Sequence, residues 1–236
     1  MANDISPELY EAIKINFNTA AATDPKIKSI IKKARAGTAT QTDIATYTER
    51  LGKHASEAFK AVLTPENLPD GTLYWNIAEK TIKPLLLSNY ERINNIAILQ
   101  QASADQALGV NIGISKGGYP ENRVDQVMNF AANAETGEPL RNALSDPVIT
   151  AHQKFYDDFM KENAKLRNDL GLYAVVERIY DGKGLKDGKQ ACSWCLDRAG
   201  KWSYDEANAN GVFERHPGCG CVILYTTAKG TEILTG

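Results

Sequence analysis

All four cysteines of this 236-residue chain fall between positions 192 and 221, with a histidine among them. They read Cys192-Ser-Trp-Cys195, then twenty residues, then His216-Pro-Gly-Cys219-Gly-Cys221. Two thiolates separated by a tight turn reach one ion from the same side, and a histidine–cysteine pair at the same spacing supplies the other half of a tetrahedral shell. Gly218 and Gly220 flank Cys219 and let the backbone bend close to an ion without a Cβ in the way. Five donors then compete for four positions. The favoured set is Cys192, Cys195, His216 and Cys219, with Cys221 either the alternative to Cys219 or a packed thiol. The expected cofactor is a structural zinc ion.

Other uses of these residues fit less well. The chain starts Met1-Ala2-Asn3-Asp4-Ile5-Ser6, without the basic start and apolar stretch of a signal peptide. It holds no apolar run near the roughly 20 residues that cross a membrane. The expectation is a cytoplasmic product with no membrane partner, whose thiols stay reduced rather than paired as disulfides. A thioredoxin-like C-x-x-C belongs in a βαβ setting that this region lacks. A catalytic zinc needs an open position and a nearby base. The H-x-E that precedes P-C-x-x-C in nucleobase deaminases is absent, and so is H-E-x-x-H. A Cys219–His216 nucleophile is formally available, but the metal makes better use of both residues. The reading is therefore not an enzyme.

The residues before the cluster read as helices. Ser6-Pro7 and Asp24-Pro25 each place a capping side chain before a proline at a first helical position. Ile27, Ile30, Ile31 and Ala34 form one apolar stripe, and Ile44, Tyr47, Leu51, Ala55, Ala58 and Val62 form a longer one from about Thr42. Gly52 weakens that second helix by ~1 kcal/mol relative to alanine. Pro65, Pro69 and Asp70-Gly71 break the chain into a turn. The next helix runs from about Leu73 to Leu108, and Pro84 should kink or split it. Tyr74, Trp75 and Tyr90 are expected in its core, and His54 and His152 are expected to pack rather than ligate. The glycine-rich passage 109–120, with alternating Val110, Ile112 and Ile114, fits a short strand or an extended loop. Helices resume near Glu121 and at Asp146-Pro147, the latter ending at Gly171.

Composition changes at Leu172. Residues 173–180 are β-branched and aromatic, as is Val222-Ile223-Leu224-Tyr225, so both read as strands. Between them, a glycine- and lysine-rich stretch over 181–189 reads as mobile. The fold class is α+β: a mainly α-helical body, 1–171, followed by a small β-rich metal-binding unit, 172–236. A unit of that size commonly needs a metal or disulfide staple. The formal net charge of -2 gives no global field to attract nucleic acid. Only Lys26, Lys28, Lys32, Lys33 and Arg35 make a local basic face, more naturally a solvated surface than a DNA footprint.

The segment from Val175-x-Glu177-Arg178 through Cys192-Ser-Trp-Cys195, Ala199-Gly200-Lys-Trp-Ser-Tyr204 and Arg215-His216-Pro-Gly-Cys219-Gly-Cys221 to Tyr225 resembles the minor head proteins of tailed bacteriophages. These are related to the head-morphogenesis proteins named after the F protein of phage Mu. Leu68-Pro69-Asp70-Gly71, Tyr74-Trp-Asn-Ile77-Ala78-Glu79 and Asn89-Tyr90 resemble the helical part of the same proteins. The family carries arginine between the last two cysteines, where this chain has Gly220, so any contact made by that arginine is lost or moved. The resemblance implies a virion structural protein, made in the host cytoplasm and built into the phage head near the portal or the capsid interior. Its role would lie in head assembly or genome delivery, with portal and capsid proteins as partners. A second reading makes the cluster a nucleic-acid-binding knuckle acting on packaged DNA, with the 26–35 basic face as its footprint.

Overall fold

A computed structural model describes residues 4–182 and 192–227 of the chain. Helices α1 (Ser6–Thr23), α2 (Pro25–Arg35) and α3 (Gln41–Val62) come first, and two short 3-10 turns follow. Next come α4 (Trp75–Ala107), α5 (Glu121–Ala132), α6 (Glu138–Ala143) and α7 (Asp146–Asp169). The C-terminal part holds strand β1 (Val175–Ile179), the one-turn helix α8 (Ser193–Leu196), β2 (Gly200–Ser203), α9 (Tyr204–Ala209) and β3 (Val222–Thr226). The fold is α+β, a helical body with a small antiparallel sheet in the order β2-β1-β3. Apart from Asp181 and Gly182, the glycine- and lysine-rich connector lies outside the described residues.

Asp24 caps α2 as its position before Pro25 predicts, accepting from the backbone N–H groups of Lys26 and Ile27. The cap expected at Ser6 is displaced by two residues. Ser6 is buried inside the first turn of α1, and it is the Asp4 carboxylate that accepts the Ser6 N–H, at 3.1 Å. Helix α3 begins with a capping box between Thr40 and Asp43. All six residues of its predicted stripe are buried.

Helix α4 runs unbroken through Pro84. The bond the ring removes would have gone to the carbonyl of Lys80, a solvent-exposed residue, so the loss falls on the wet side of the helix. Tyr90 is buried as expected, but Tyr74 and Trp75 are 45% and 41% exposed. They stand at the helix entrance, and the inward positions there belong to Leu73 and Ile77, one turn apart.

The crossing of α3 over α7 explains Gly52. A Cβ at this position would come within 3.0 Å of the Ile149 Cα and 3.2 Å of the His152 Cβ. The glycine that weakens α3 as an isolated helix allows its close approach to α7.

Residues 110–120 form no strand, although the apolar alternation is real. Side-chain amides take the place of a neighbouring strand. Asn163 on α7 accepts the Ser115 N–H at 3.0 Å and donates to the Ser115 carbonyl at 2.7 Å. Asn94 on α4 accepts the Gly117 N–H at 3.0 Å, and the Tyr90 hydroxyl donates to the Gly117 carbonyl at 2.5 Å. The loop is thereby pressed onto α7.

The sheet lays one face on α7 and α3. Val176 and Arg178 of β1, with Ile223 and Tyr225 of β3, point inward and are buried. Tyr225 joins the body through its hydroxyl, which donates to Gln101 at 2.7 Å beside the buried Arg167–Asp105 ion pair. The free edge of β3 is met by one side chain. Gln41 accepts the Tyr225 N–H and donates to the Tyr225 carbonyl, both at 2.9 Å, as a pairing strand would. One continuous apolar core includes Leu51, Phe155 and Phe159 of the helices together with Val176, Phe213 and Ile223 of the C-terminal part.

Gly117→Ala tests the loop clamp. A Cβ there would lie 2.3 Å from the Phe159 backbone nitrogen, and the overlap is expected to cost about 2–3 kcal/mol. The change should appear as a lower urea midpoint with an unchanged slope. A midpoint equal to the parent's would show that the loop is free to move off α7.

Candidate metal centre

The first cysteine pair is positioned by a single helical turn. Cys192 is the N-cap residue of α8, its carbonyl accepting the Leu196 N–H at 3.0 Å, and Cys195 lies inside the turn. This places a half-buried and a buried thiol on one side of the chain. The second half of the cluster is a loop pinned to the N-terminal half of α7. Gly218, with φ +77°, donates its N–H to the Thr150 hydroxyl at 3.2 Å, and a Cβ there would meet Asp146 at 2.9 Å. Arg215, next to His216, makes a two-pronged ion pair with Asp157, its Nη2 at 2.9 Å. Both partners are buried.

All five donors read from the sequence come together, in two triads that share Cys195: Cys192, Cys195 and His216, and Cys195, Cys219 and Cys221. Within each triad the ligand atoms lie within 4.8 Å of one another. His216 Nδ1 faces the Pro217 carbonyl at 2.8 Å, which can only accept, so Nδ1 carries the proton. The lone pair of Nε2 then faces the sulfurs of Cys192 at 3.3 Å and Cys195 at 3.0 Å. That is the tautomer of a metal-bound imidazole held by a backbone carbonyl. The Sγ atoms of Cys195 and Cys219 are 3.7 Å apart. Zn–S bonds of ~2.3 Å give a tetrahedral S···S edge of ~3.8 Å, so this edge already has the length a zinc ion requires. The two S···N separations are shorter than a tetrahedral edge and would open on metal binding. The cluster is able to bind a metal ion, and its donor set suits zinc.

Cys219 carries the most polarised thiol. The Cys221 thiol that donates to it, the Arg215 charge, the Cys221 N–H and the Arg178 charge together outweigh burial and bring it down to about 4. Burial and the adjacent Cys219 charge push Cys195 up to about 11. Cys221 is pushed up as well, chiefly because its proton is donated to Cys219 and also by burial. Burial opposes the Arg215 charge, but Asp157 overrides it and holds the guanidinium more firmly protonated than usual.

Neither Arg178 nor Arg215 figures among the ligands read from the sequence, yet both touch the cluster. Arg178 donates to the Cys219 sulfur at 3.2 Å, and Arg215 approaches the same atom at 3.8 Å. The signal for Arg178 was a charge at a strand position in phase with the apolar Val176, on the face opposite Glu177. Trp194, inside the C-x-x-C turn, lies edge-on to His216, with the Arg198 guanidinium 4.0 Å from its ring centre.

The other candidate residues lie elsewhere. His54 is half-buried and bonds Asp24 at 2.7 Å. Lys26, Lys28, Lys32, Lys33 and Arg35 are all exposed on α2, and Lys33 pairs with Asp43 at 3.1 Å. Among the described residues no helix is long and apolar enough to cross a membrane. Comparison with protein families, with curated proteins and with solved structures returns no match for this chain.

His152 is wholly buried, its Nδ1–H donating to the Val148 carbonyl at 2.8 Å and its Nε2 accepting from Asn89 at 2.9 Å. Burial holds its pKa down at about 4. The unfolded chain takes up that proton near pH 6.5. Stability from the neutral imidazole is therefore complete above about pH 6.5 and is lost as the pH falls toward 4, by up to ~3 kcal/mol. Urea unfolding at pH 4.5 and 7.5 should show that loss in the parent and not in His152→Gln. Equal pH dependence in both proteins would contradict a neutral buried histidine.

Proposed function

We propose that the chain is a structural protein of a tailed-phage head, a minor head component associated with the portal or the capsid interior. In this reading it acts in head assembly or genome delivery, and its cluster holds one structural zinc. The observation that carries the metal assignment is the meeting of two triads, Cys192, Cys195 and His216 and Cys195, Cys219 and Cys221, at the buried Cys195 sulfur. Protein atoms alone offer enough donors to close a tetrahedral shell. The motif order from Arg178 to Tyr225 supports the phage-head assignment, and the anchoring of the cysteine loop on α7 gives the metal a structural task. The ion would tie α8, which precedes β2, to the loop that precedes β3, cross-linking two segments that flank the sheet. Packaged DNA is the weaker alternative partner. It rests on the exposed basic face of α2, from which Lys33 is already drawn off by Asp43.

Protein purified without added metal should contain about one zinc per chain. A strong chelator should then release amide exchange across β1, β2 and β3 while α1 and α4 stay protected. Cys195→Ser should behave as the chelated parent does. Absence of metal, together with exchange indifferent to chelator, would rule out the zinc.

The virion role is read separately. Mass spectrometry of purified heads of the phage that encodes the chain should find it as a low-copy component. Heads that assemble and package DNA normally without it would refute the assignment.

A further inference from the structure

Among the described residues three arginines are buried: Arg167, Arg178 and Arg215. Arg167 is paired with Asp105, and Arg215 with Asp157. Arg178, only 1% exposed, pairs with no carboxylate among the described residues. Its Nη1 donates to the carbonyls of Val212 at 2.5 Å and Glu214 at 2.7 Å. Its Nη2 donates to the Cys219 sulfur at 3.2 Å and lies 4.0 Å from the Cys195 sulfur. The Trp194 ring, 5.1 Å from the guanidinium carbon, adds a polarisable wall. Carbonyls orient a guanidinium but bring no net charge, and a buried cation without a counter-ion is costly. The groups left to supply negative charge are the sulfurs.

We propose that Arg178 is the counter-charge of the metal–thiolate centre, that it sets Cys219 as the fourth ligand beside Cys192, Cys195 and His216, and that Cys221 stays a thiol outside the coordination shell. The inference rests on the zinc reading above. It follows from charge and geometry. A divalent ion with three thiolates and a neutral imidazole carries one net negative charge, which Arg178 cancels. Arg215 and Asp157 cancel each other, so the buried set is neutral as a whole. Four thiolates would leave one negative charge uncompensated in the interior, and two would leave one positive. Cys219 is the sulfur on which both guanidiniums converge, and its 3.7 Å separation from Cys195 is a tetrahedral edge. Arg178 is a positioning residue: it touches ligands and not the ion.

The test uses the full chain with cobalt(II) as a spectroscopic probe and zinc affinity measured by chelator competition. The parent should bind one cobalt with the charge-transfer and ligand-field bands of a tetrahedral three-thiolate, one-imidazole site. Cys221→Ala should keep that spectrum and bind zinc within a few-fold of the parent, whereas Cys219→Ala should lose both. Arg178→Met should lower zinc affinity roughly 10–100-fold, and Arg178→Lys, which restores the charge without the fork, should recover part of the loss. A four-thiolate spectrum in the parent would overturn the inference while leaving the zinc site intact. So would a Cys221→Ala protein as impaired as Cys219→Ala, or an Arg178→Met protein that binds as the parent does. A parent that binds neither metal overturns the zinc reading itself. The Cys221→Ala comparison decides the ligand set even if the arginine variants do not fold.

Discussion

Asp157 stands in the middle of α7, fully buried, and the placement of the whole cysteine loop depends on the guanidinium it holds. Arg215 lies beside His216 in sequence and reaches the carbonyl of Cys219 at 3.3 Å and its sulfur at 3.8 Å. One carboxylate on a helix therefore fixes, through one arginine, the backbone that presents two of the five donors. Removing either partner would leave a buried charge unpaired, a change that typically costs about 3–5 kcal/mol. Gly218, set against Thr150 and Asp146 about two and three turns earlier on the same helix, keeps the loop from tilting about that anchor. The helical body is thus part of the site, since α7 supplies the surface that shapes it.

The joints between body and sheet follow a common rule. Where the backbone runs alone, a side-chain amide completes its hydrogen bonding. Asn163 and Asn94 do so for residues 115 and 117, and Gln41 does so for the edge of β3. An amide carries a donor and an acceptor a short distance apart, the pair that an extended residue offers to its neighbour. For Gln41 the arrangement both satisfies Tyr225 and denies a bare strand edge to another chain.

These joints mark the limit of what was legible in the sequence. The helices with strong periodicity, α3 above all, could be read because burial follows the 3.6-residue repeat. The donors of the cluster could be read because metal chemistry imposes its own short spacing. Asn94, Asn163 and Gln41 could not, because a polar residue on a helix carries no mark of the distant backbone it will meet. Tyr74 and Trp75 misled for a related reason: aromatic character suggests a core, but phase decides it, and Leu73 and Ile77 hold the inward phase. Gly52 carried a local cost that only the contact with α7 explains. Asp157 showed nothing in sequence to set it apart from Asp158, its neighbour on α7.

The register of β1 is where fold and site become one constraint. Side chains alternate along a strand, so Val176 and Arg178 face inward only in the observed pairing, with Arg178 opposite Ile223 on one side and Gly200 on the other. A slip of one residue would turn Glu177 toward the sulfurs and carry Arg178 to the outer face. A carboxylate would then meet thiolates, and the carbonyls of Val212 and Glu214 would lose their donor. The pairing of β1 with β3 is held in turn by Tyr225, which is fixed at its main chain by Gln41 and at its hydroxyl by Gln101. The strand that carries the arginine to the cluster is thereby registered by contacts on α3 and α4, on the far side of β3. A metal bound at the cluster would act back along the same path, because attraction between its thiolates and Arg178 penalises every other register of the sheet.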